Sequence, residues 1–292
     1  MKLSIAAKFN LVFVSIFAVG FLAAGVVADR LLRQSAREET LQNARLLLEA
    51  AKSVRTYTAS QVAPLLKEQM AVAFHPQSVP SYSAVENLNV ILKAYPDFSY
   101  KEATLNPTNP RDKASDWEVD VVDQLRKRTD LKEFVGERDT ATGRSLYIAR
   151  PLQIKDPVCL GCHDTALDAP KTMVDIYGPN NGFGWKLNEV VGAQVISVPM
   201  AVPLQRADTI FKTFMVSLFG VFLVVFGALN VMVHWFVTRR IARLAVIADE
   251  VSMGRFDAAD VDVRGSDEIS ALGRSFNRMR TSLASALRML EE

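Results

Sequence analysis

The sequence predicts a membrane-anchored α+β protein, an antiparallel sheet with helices held between two transmembrane helices and followed by a helical tail. Three observations carry this. Two long apolar blocks, Phe9–Ala28 and Thr213–Val237, bracket the middle of the chain. Between them lie short alternating segments bounded by Gly, Pro and Asn clusters, the mark of strands and turns. After the second block, apolar residues recur at spacings of three and four, the helical period. The expected organisation is a cytoplasmic N-terminus at 1–8, a first span at 9–29, an extracytoplasmic domain at 30–209, a second span at 213–237 and a tail at 238–292.

The first block is broken only by Asn10, Ser15, Gly20 and Gly25. A helix of that length rises about 30 Å, enough to cross the hydrocarbon core. The competing reading is a cleaved signal peptide ending at Val26-Val27-Ala28, whose apolar stretch would normally be about 7–15 residues. The second block holds no Asp, Glu, Lys or Arg and ends in His234-Trp235 and then Arg239-Arg240. An aromatic and basic boundary of this kind belongs at a membrane interface. Arg239, Arg240 and Arg243 after this span, against Arg206 and Lys212 before it, place both termini in the cytoplasm.

Composition narrows the function classes. With 34 Lys+Arg against 32 Asp+Glu, the net charge of +2 excludes a nucleic-acid binder that works by bulk positive charge. A hydrophobic share of 49% excludes an acidic disordered chain. Two cysteines and three histidines exclude a disulfide-stapled scaffold and a four-ligand zinc cluster.

Within the extracytoplasmic segment, Arg30 to about Leu66 reads as a long helix, with Leu32, Leu41, Leu47, Leu48 and Ala51 among charges, weakened at Pro64. His75-Pro76 and Val79-Pro80 mark a loop, and 83–94 a short helix. Phe98–Leu105 is a strand, and Asn106-Pro107-Thr108-Asn109-Pro110 a turn that two prolines bar from a central strand. Ser115–Lys127 is a helix opened by a capping box of Ser115 with Glu118. Leu131–Arg138 and Arg144–Leu152 form a hairpin around Gly143, with Leu146 and Ile148 on one face. Val190–Val198 is apolar at nearly every position and belongs at the sheet centre. The helices are expected on one side of this sheet. Before the last strand lies a long irregular stretch, Gln153–Glu189, of a length that in a compact domain is usually functional.

That stretch contains Cys159-Leu160-Gly161-Cys162-His163. C-x-x-C-H is the attachment signal for c-type haem: two thiols reach the two vinyl groups, and the next residue, His163, binds the iron from the proximal side. Random placement of so few Cys and His would give this pattern with probability ~10⁻⁴. A redox dithiol, a partial zinc site or coincidence are the alternatives. A redox C-x-x-C normally opens a helix in a βαβ setting and needs no histidine. Zinc would need two further ligands, and His75 is the only other extracytoplasmic histidine. Covalent haem attachment takes place outside the cytoplasmic membrane, so residues 30–209 are expected in the periplasm of a bacterial inner-membrane protein. The sixth iron position is open among His75, Met70, Met173, Met200 and no protein ligand. Phe183 and Trp185, in the Gly-rich run Asn180–Lys186, could cover a haem face or simply pack in the core. That run lacks the ending of a phosphate loop.

In the tail, Ile241, Leu244, Ala248 and Val251 make one helix stripe, stopped at Gly254. Phe256, Val261 and Val263 mark an extended connector. Ile269, Leu272, Phe276, Met279, Leu283, Ala286 and Leu290 make a second stripe. A helix cannot bury such a stripe alone, so a homodimer forming a parallel four-helix bundle is expected.

The run Gly265-Ser266-Asp267-Glu268-Ile269, with Leu272 and Ser275-Phe276-Asn277-Arg278-Met279, resembles the second helix of HAMP linker domains over about residues 238–290. Ser270 stands where glycine is common. The segments Tyr100–Pro110, Tyr147-Ile148-Ala149-Arg150-Pro151, the C-x-x-C-H and Val198-Pro199-Met200 resemble a family of periplasmic haem-c-binding sensor domains with a PAS-like fold, over about residues 35–205. The resemblance implies a transmembrane receptor, not an enzyme. It would sense redox state or a diatomic gas through haem c and relay the change through HAMP to a separate cytoplasmic output protein (kinase, cyclase or chemotaxis-type). A membrane-anchored c-type cytochrome is the alternative, which would need an anchor but no paired heptad helices; a peroxidase-like enzyme is a third, which would need an open iron face with distal acid/base groups. Partners are then a second copy, the output protein and membrane lipid, with no nucleic acid.

Overall fold

A computed structural model describes residues 4–70, 72–141, 143–256, 260–261 and 265–291. Met1–Leu3 of the N-terminal segment and Val263 of the expected connector lie outside the described residues, as does the side chain of Leu290. The chain divides into two compact units, Asp29–Ile210 and the combination of Met1–Ala28 with Phe211–Glu292.

The α+β unit takes most of helix α1, Ile5–Tyr57, which passes through a π-helical segment, Thr58–Val62, into α2, Ala63–Met70. The long helix expected from Arg30 thus continues past Pro64. Proline lacks an N–H and crowds the carbonyl four residues back, and the wider π turn just before it takes up that misfit. There the Ala63 N–H donates to the Thr58 carbonyl, five residues back. Next come α3, Pro80–Leu92, and β1, Ser99–Thr104. Helix α4, Asp116–Lys127, opens on the expected capping box: the Ser115 N–H and Oγ each lie 2.8 Å from Glu118 Oε2. The hairpin is β2, Phe134–Thr140, with β3, Gly143–Gln153. Two short helices follow, α5, Leu160–His163, and α6, Lys171–Tyr177, and then β4, Val190–Pro199.

The four strands form one antiparallel sheet in the order β1-β4-β3-β2, which puts β4 in an interior position. Both faces are covered. Tyr100, Leu146, Ile148, Ile196 and Val198 pack on Ala44, Leu48 and Ala51 of α1 and on Ala84, Val85 and Leu88 of α3. Ala103, Ala149, Ala193 and Val195 pack on Val121, Val122 and Leu125 of α4. The expectation of helices on one side is therefore corrected. A strand buried at alternate positions needs one cover; β4, apolar on both faces, needs two.

One row of the α1-facing side is polar. Glu102, Gln194 and Arg150 stand opposite one another across β1, β4 and β3. Helix α1 answers with opposite charge, Arg55 to Glu102 and Glu49 to Arg150 (2.5 Å). These ion pairs, with Arg45–Glu133 (2.5 Å) and Arg37–Glu137 (3.0 Å), fix the register of α1 on the sheet.

The second unit is helical. Two helical stretches, Ala6–Met70 and Ala201–Ser252, are long and apolar enough to cross a membrane. Helix α7, Ala201–Val233, stacks Phe222 and Phe226 against Phe13 of α1, and Phe222 also against Phe17. A second π segment, His234–Thr238, leads into α8, Arg239–Ser252. Gly254, at φ +84°, ends α8 as expected. Helix α9, Glu268–Glu291, follows. Arg240 bridges Asp267 (2.5 Å) and Ser270 Oγ (2.8 Å), and the Asn277 side chain clasps the backbone of Val261 through two 3.1 Å hydrogen bonds. Leu272, Met279, Leu283 and Leu287 of α9 stay exposed, an apolar stripe without cover in the single chain.

Candidate functional site

Asp156-Pro157 starts the turn that carries the first cysteine. The Asp156 carboxylate accepts from the Val158 N–H at 2.9 Å, and Pro157 supplies a φ already suited to helix. The chain runs through Cys159 into α5, which places Cys162 and His163 on one short turn. Both cysteines are free thiols of intermediate exposure.

His163 is held from three directions. Its Nδ1 lies 2.7 Å from the Gly182 carbonyl and 3.5 Å from Thr108 Oγ1. Its ring stacks on Trp185, centroids 3.9 Å apart and planes inclined by 13°. Its carbonyl accepts from the Trp185 N–H at 3.2 Å. Both side-chain hydrogen bonds run through Nδ1; among the described residues none engages Nε2. The loop that supplies the Gly182 carbonyl is tied by Asn106, which accepts from the Gly182 N–H and donates to the Phe183 carbonyl, each at 3.1 Å. Gly182 has φ +84°, and a Cβ there would stand 2.0 Å from Thr108 Oγ1. Only glycine fits that approach.

Beside this lies an apolar cluster with Phe74, Ala169 and Met173 buried and Met70, Cys162, Tyr177 and Phe183 around them. The backbone N–H of His75 donates to Met70 Sδ at 3.2 Å, and Ser78 Oγ does so at 3.3 Å, which pins the loop after α2.

Burial lowers the His163 pKa, against the raising effect of the Gly182 hydrogen bond, so the ring is neutral at neutral pH, the form that binds metal. Burial pushes both thiols up, with Asp156 adding to the effect at Cys159 and Cys159 adding to it at Cys162. A redox dithiol requires the opposite shift. Among the described residues no group of three or more His, Cys, Asp or Glu is arranged to hold a metal ion.

A family model described as Tll0287-like (Tll0287) matches residues 33–199, more than half of the chain. The chain belongs to the Tll0287-like family. A HAMP domain matches residues 232–285. The crystal structure of the cyanobacterial heme-protein Tll0287 is similar at 15% identity and a TM-score of 0.44, over 55% of this chain and 95% of that one. No curated protein matches the chain. A Tll0287-like domain, helices able to span a membrane and a HAMP domain together make a transmembrane signalling receptor.

Within the Tll0287-like domain, the residues singled out from sequence do not all gather. Cys162, Met70 and Met173 share the apolar cluster, and His75 follows directly on its Phe74. Met200 packs instead in the core between α1, α3 and the sheet, apart from that cluster. Trp185 stacks on His163, whereas Phe183 packs in the cluster. Asn106, Thr108 and Gly182 were not foreseen as site residues. The available signal was the run Tyr100–Pro110, which contains Asn106 and Thr108.

Proposed function

We propose that residues 30–209 are a periplasmic sensor domain that carries haem c, with thioether bonds to Cys159 and Cys162 and with His163 as proximal iron ligand. The observation that carries this is the fixed His163 ring: Nδ1 donates to the Gly182 carbonyl at 2.7 Å, which leaves Nε2 as the ligating nitrogen. A single imidazole with one free thiol beside it and a second one turn back suits a cofactor that brings its own equatorial nitrogens, and suits a bare ion poorly. When bound, the haem supplies an iron that changes valence and combines with diatomic gases.

The chain's own residues do the rest. Gly182 and Trp185 set the tautomer and plane of His163, and Asn106 holds the loop that carries both. Phe74, Met173 and Phe183 exclude water beside Cys162. His75 is offered as the distal ligand, with Met70 and Met173 next to it in the cluster. A change at this site is passed inward by the second span to the HAMP helices, which act as a homodimer in the inner membrane on a cytoplasmic output partner. The role is signalling, with no reaction catalysed.

The test is haem retention through acid-acetone extraction and denaturing electrophoresis. Wild-type protein should keep its haem, and Cys159→Ala with Cys162→Ala should lose it. Haem retained by the double variant would refute the attachment.

A further inference from the structure

Asn181-Gly182 is the one Asn-Gly step in the sequence. At such a step the side-chain amide and the following backbone nitrogen can react with each other, because glycine has no Cβ to hold them apart. Water is the sole co-reactant. The Gly182 nitrogen gives its proton to solvent base and bonds to Asn181 Cγ; the Cγ–Nδ2 bond breaks, and ammonia leaves behind a five-membered imide. Water then opens the ring at either carbonyl. One product is aspartate on an unchanged backbone. The other is isoaspartate, in which the chain runs through Cβ and Cγ and is one carbon longer. Either way, an amide and water become a carboxylate and ammonium.

The two halves of this step have opposite surroundings: Asn181 is exposed and Gly182 is buried. The attacking group is the Gly182 N–H, and it donates to Asn106 Oδ1 at 3.1 Å. Asn106 Nδ2 holds the next residue as well, donating to the Phe183 carbonyl at 3.1 Å. The Gly182 carbonyl lies 2.7 Å from His163 Nδ1. Gly182 is thus held at both its nitrogen and its oxygen. A buried, bonded N–H is closed to solvent base until its segment opens, and a glycine held at both ends does not turn its nitrogen onto the neighbouring side chain.

We propose that Asn181 is a self-modification site whose rate is set by Asn106: the amide persists while Asn106 accepts the Gly182 N–H, and converts when that hydrogen bond is lost. The consequence reaches His163. Gly182 stands so close to Thr108 that even a Cβ would overlap it, so an extra backbone carbon just before Gly182 has no room. The carbonyl is displaced, and the His163 ring loses the partner that fixes it. The modification itself is independent of any cofactor; its effect on iron ligation rests on the haem reading above.

The experiment is timed incubation of the full-length protein in detergent at mildly alkaline pH. Peptide mass mapping follows Asn181, enzymatic methylation counts isoaspartate, and melting is recorded in parallel. The urea-unfolded chain sets the unprotected rate, and folded wild type should convert about tenfold more slowly or better. Asn106→Ala should approach the unfolded rate at Asn181. Asn106→Asp keeps an oxygen for the Gly182 N–H and should stay near wild type, which separates loss of the hydrogen bond from loss of folding. Asn181→Gln, whose ring would be larger and closes far more slowly, should keep its absorption spectrum through the incubation, while the wild-type spectrum drifts with the converted fraction. Equal rates in wild type and the unfolded chain, in wild type and folded Asn106→Ala, or in folded Asn106→Asp and the unfolded chain, overturn the gating by Asn106. Isoaspartate that accumulates without spectral change overturns the consequence for His163. A wild type without covalent haem overturns the haem reading, and the conversion rates still decide the gate.

Discussion

Replacing Gly182 with alanine is the sharpest test of how the site is held. At φ +84° a side chain costs about 1 kcal/mol relative to glycine. The new Cβ would also stand 2.0 Å from Thr108 Oγ1 and 2.8 Å from both its Cα and Cβ. Overlap with backbone cannot be relieved by rotating a side chain, and overpacking of this kind costs about 1–3 kcal/mol. The sum is about 2–4 kcal/mol, or roughly 5–15 °C of melting temperature for a domain of this size. Gly184 supplies the control, since it has φ +78° but open space where its Cβ would go. Gly184→Ala should therefore lose only the backbone share, about 2–4 °C. Adding Thr108→Ala to Gly182→Ala removes the 2.0 Å overlap but leaves the two 2.8 Å contacts, so recovery should be partial. The assay is thermal melting of the intact protein in detergent for wild type and these three variants. If Gly182→Ala melts with Gly184→Ala, the close approach to Thr108 is not what the fold depends on, and the Gly182 carbonyl is not fixed as described.

Three further outcomes are expected. Single cysteines at Leu272 or Met279, on the exposed stripe of α9, should form intermolecular disulfides in higher yield than one at Thr281; equal yields would count against a parallel HAMP dimer. Asp112 has its carboxyl pushed up to about 6, chiefly by burial, with Glu102 and Glu86 adding and Arg111 and Lys101 opposing. Its folded pKa exceeds its unfolded one, so the folded chain binds the proton more tightly and stability falls as pH rises from about 4 to about 6; Asp112→Asn should flatten that part of a melting-versus-pH curve, and a curve that keeps its wild-type slope would remove Asp112 as the cause. His75→Ala should keep covalent haem yet add a high-spin component to the absorption spectrum. A spectrum that stays low-spin would transfer the distal role to Met70 or Met173.

Much of this was legible in the sequence, for local reasons. The Ser115–Glu118 capping box works within one helical turn, and the Cys159–His163 spacing within one short turn and the helix it opens. The near-continuous apolarity of β4, broken at Gln194 and Ser197, gave its interior position; the same property implies cover on both faces, which the one-sided expectation overlooked. What stayed hidden is long-range. Asn106 and Gly182 meet across loops that only the packed sheet brings together, so no spacing between them is visible along the chain. Arg55 was hidden for a different reason: a charged residue in a helical stripe reads as a solvent-facing break until its buried partner is seen.

The π segment at Thr58–Val62 also bears on how such chains can vary. A π turn is an α-helix carrying one surplus residue. Losing one residue from this stretch would let the helix close into regular α form with both flanks in their present phase. The same loss between Ala44 and Ala51 would turn everything beyond it by about 100°, and would swing Arg55 away from Glu102. Length variation among descendants of this sequence should therefore collect in these five residues, a tolerated seam in a helix whose other positions are held to the count.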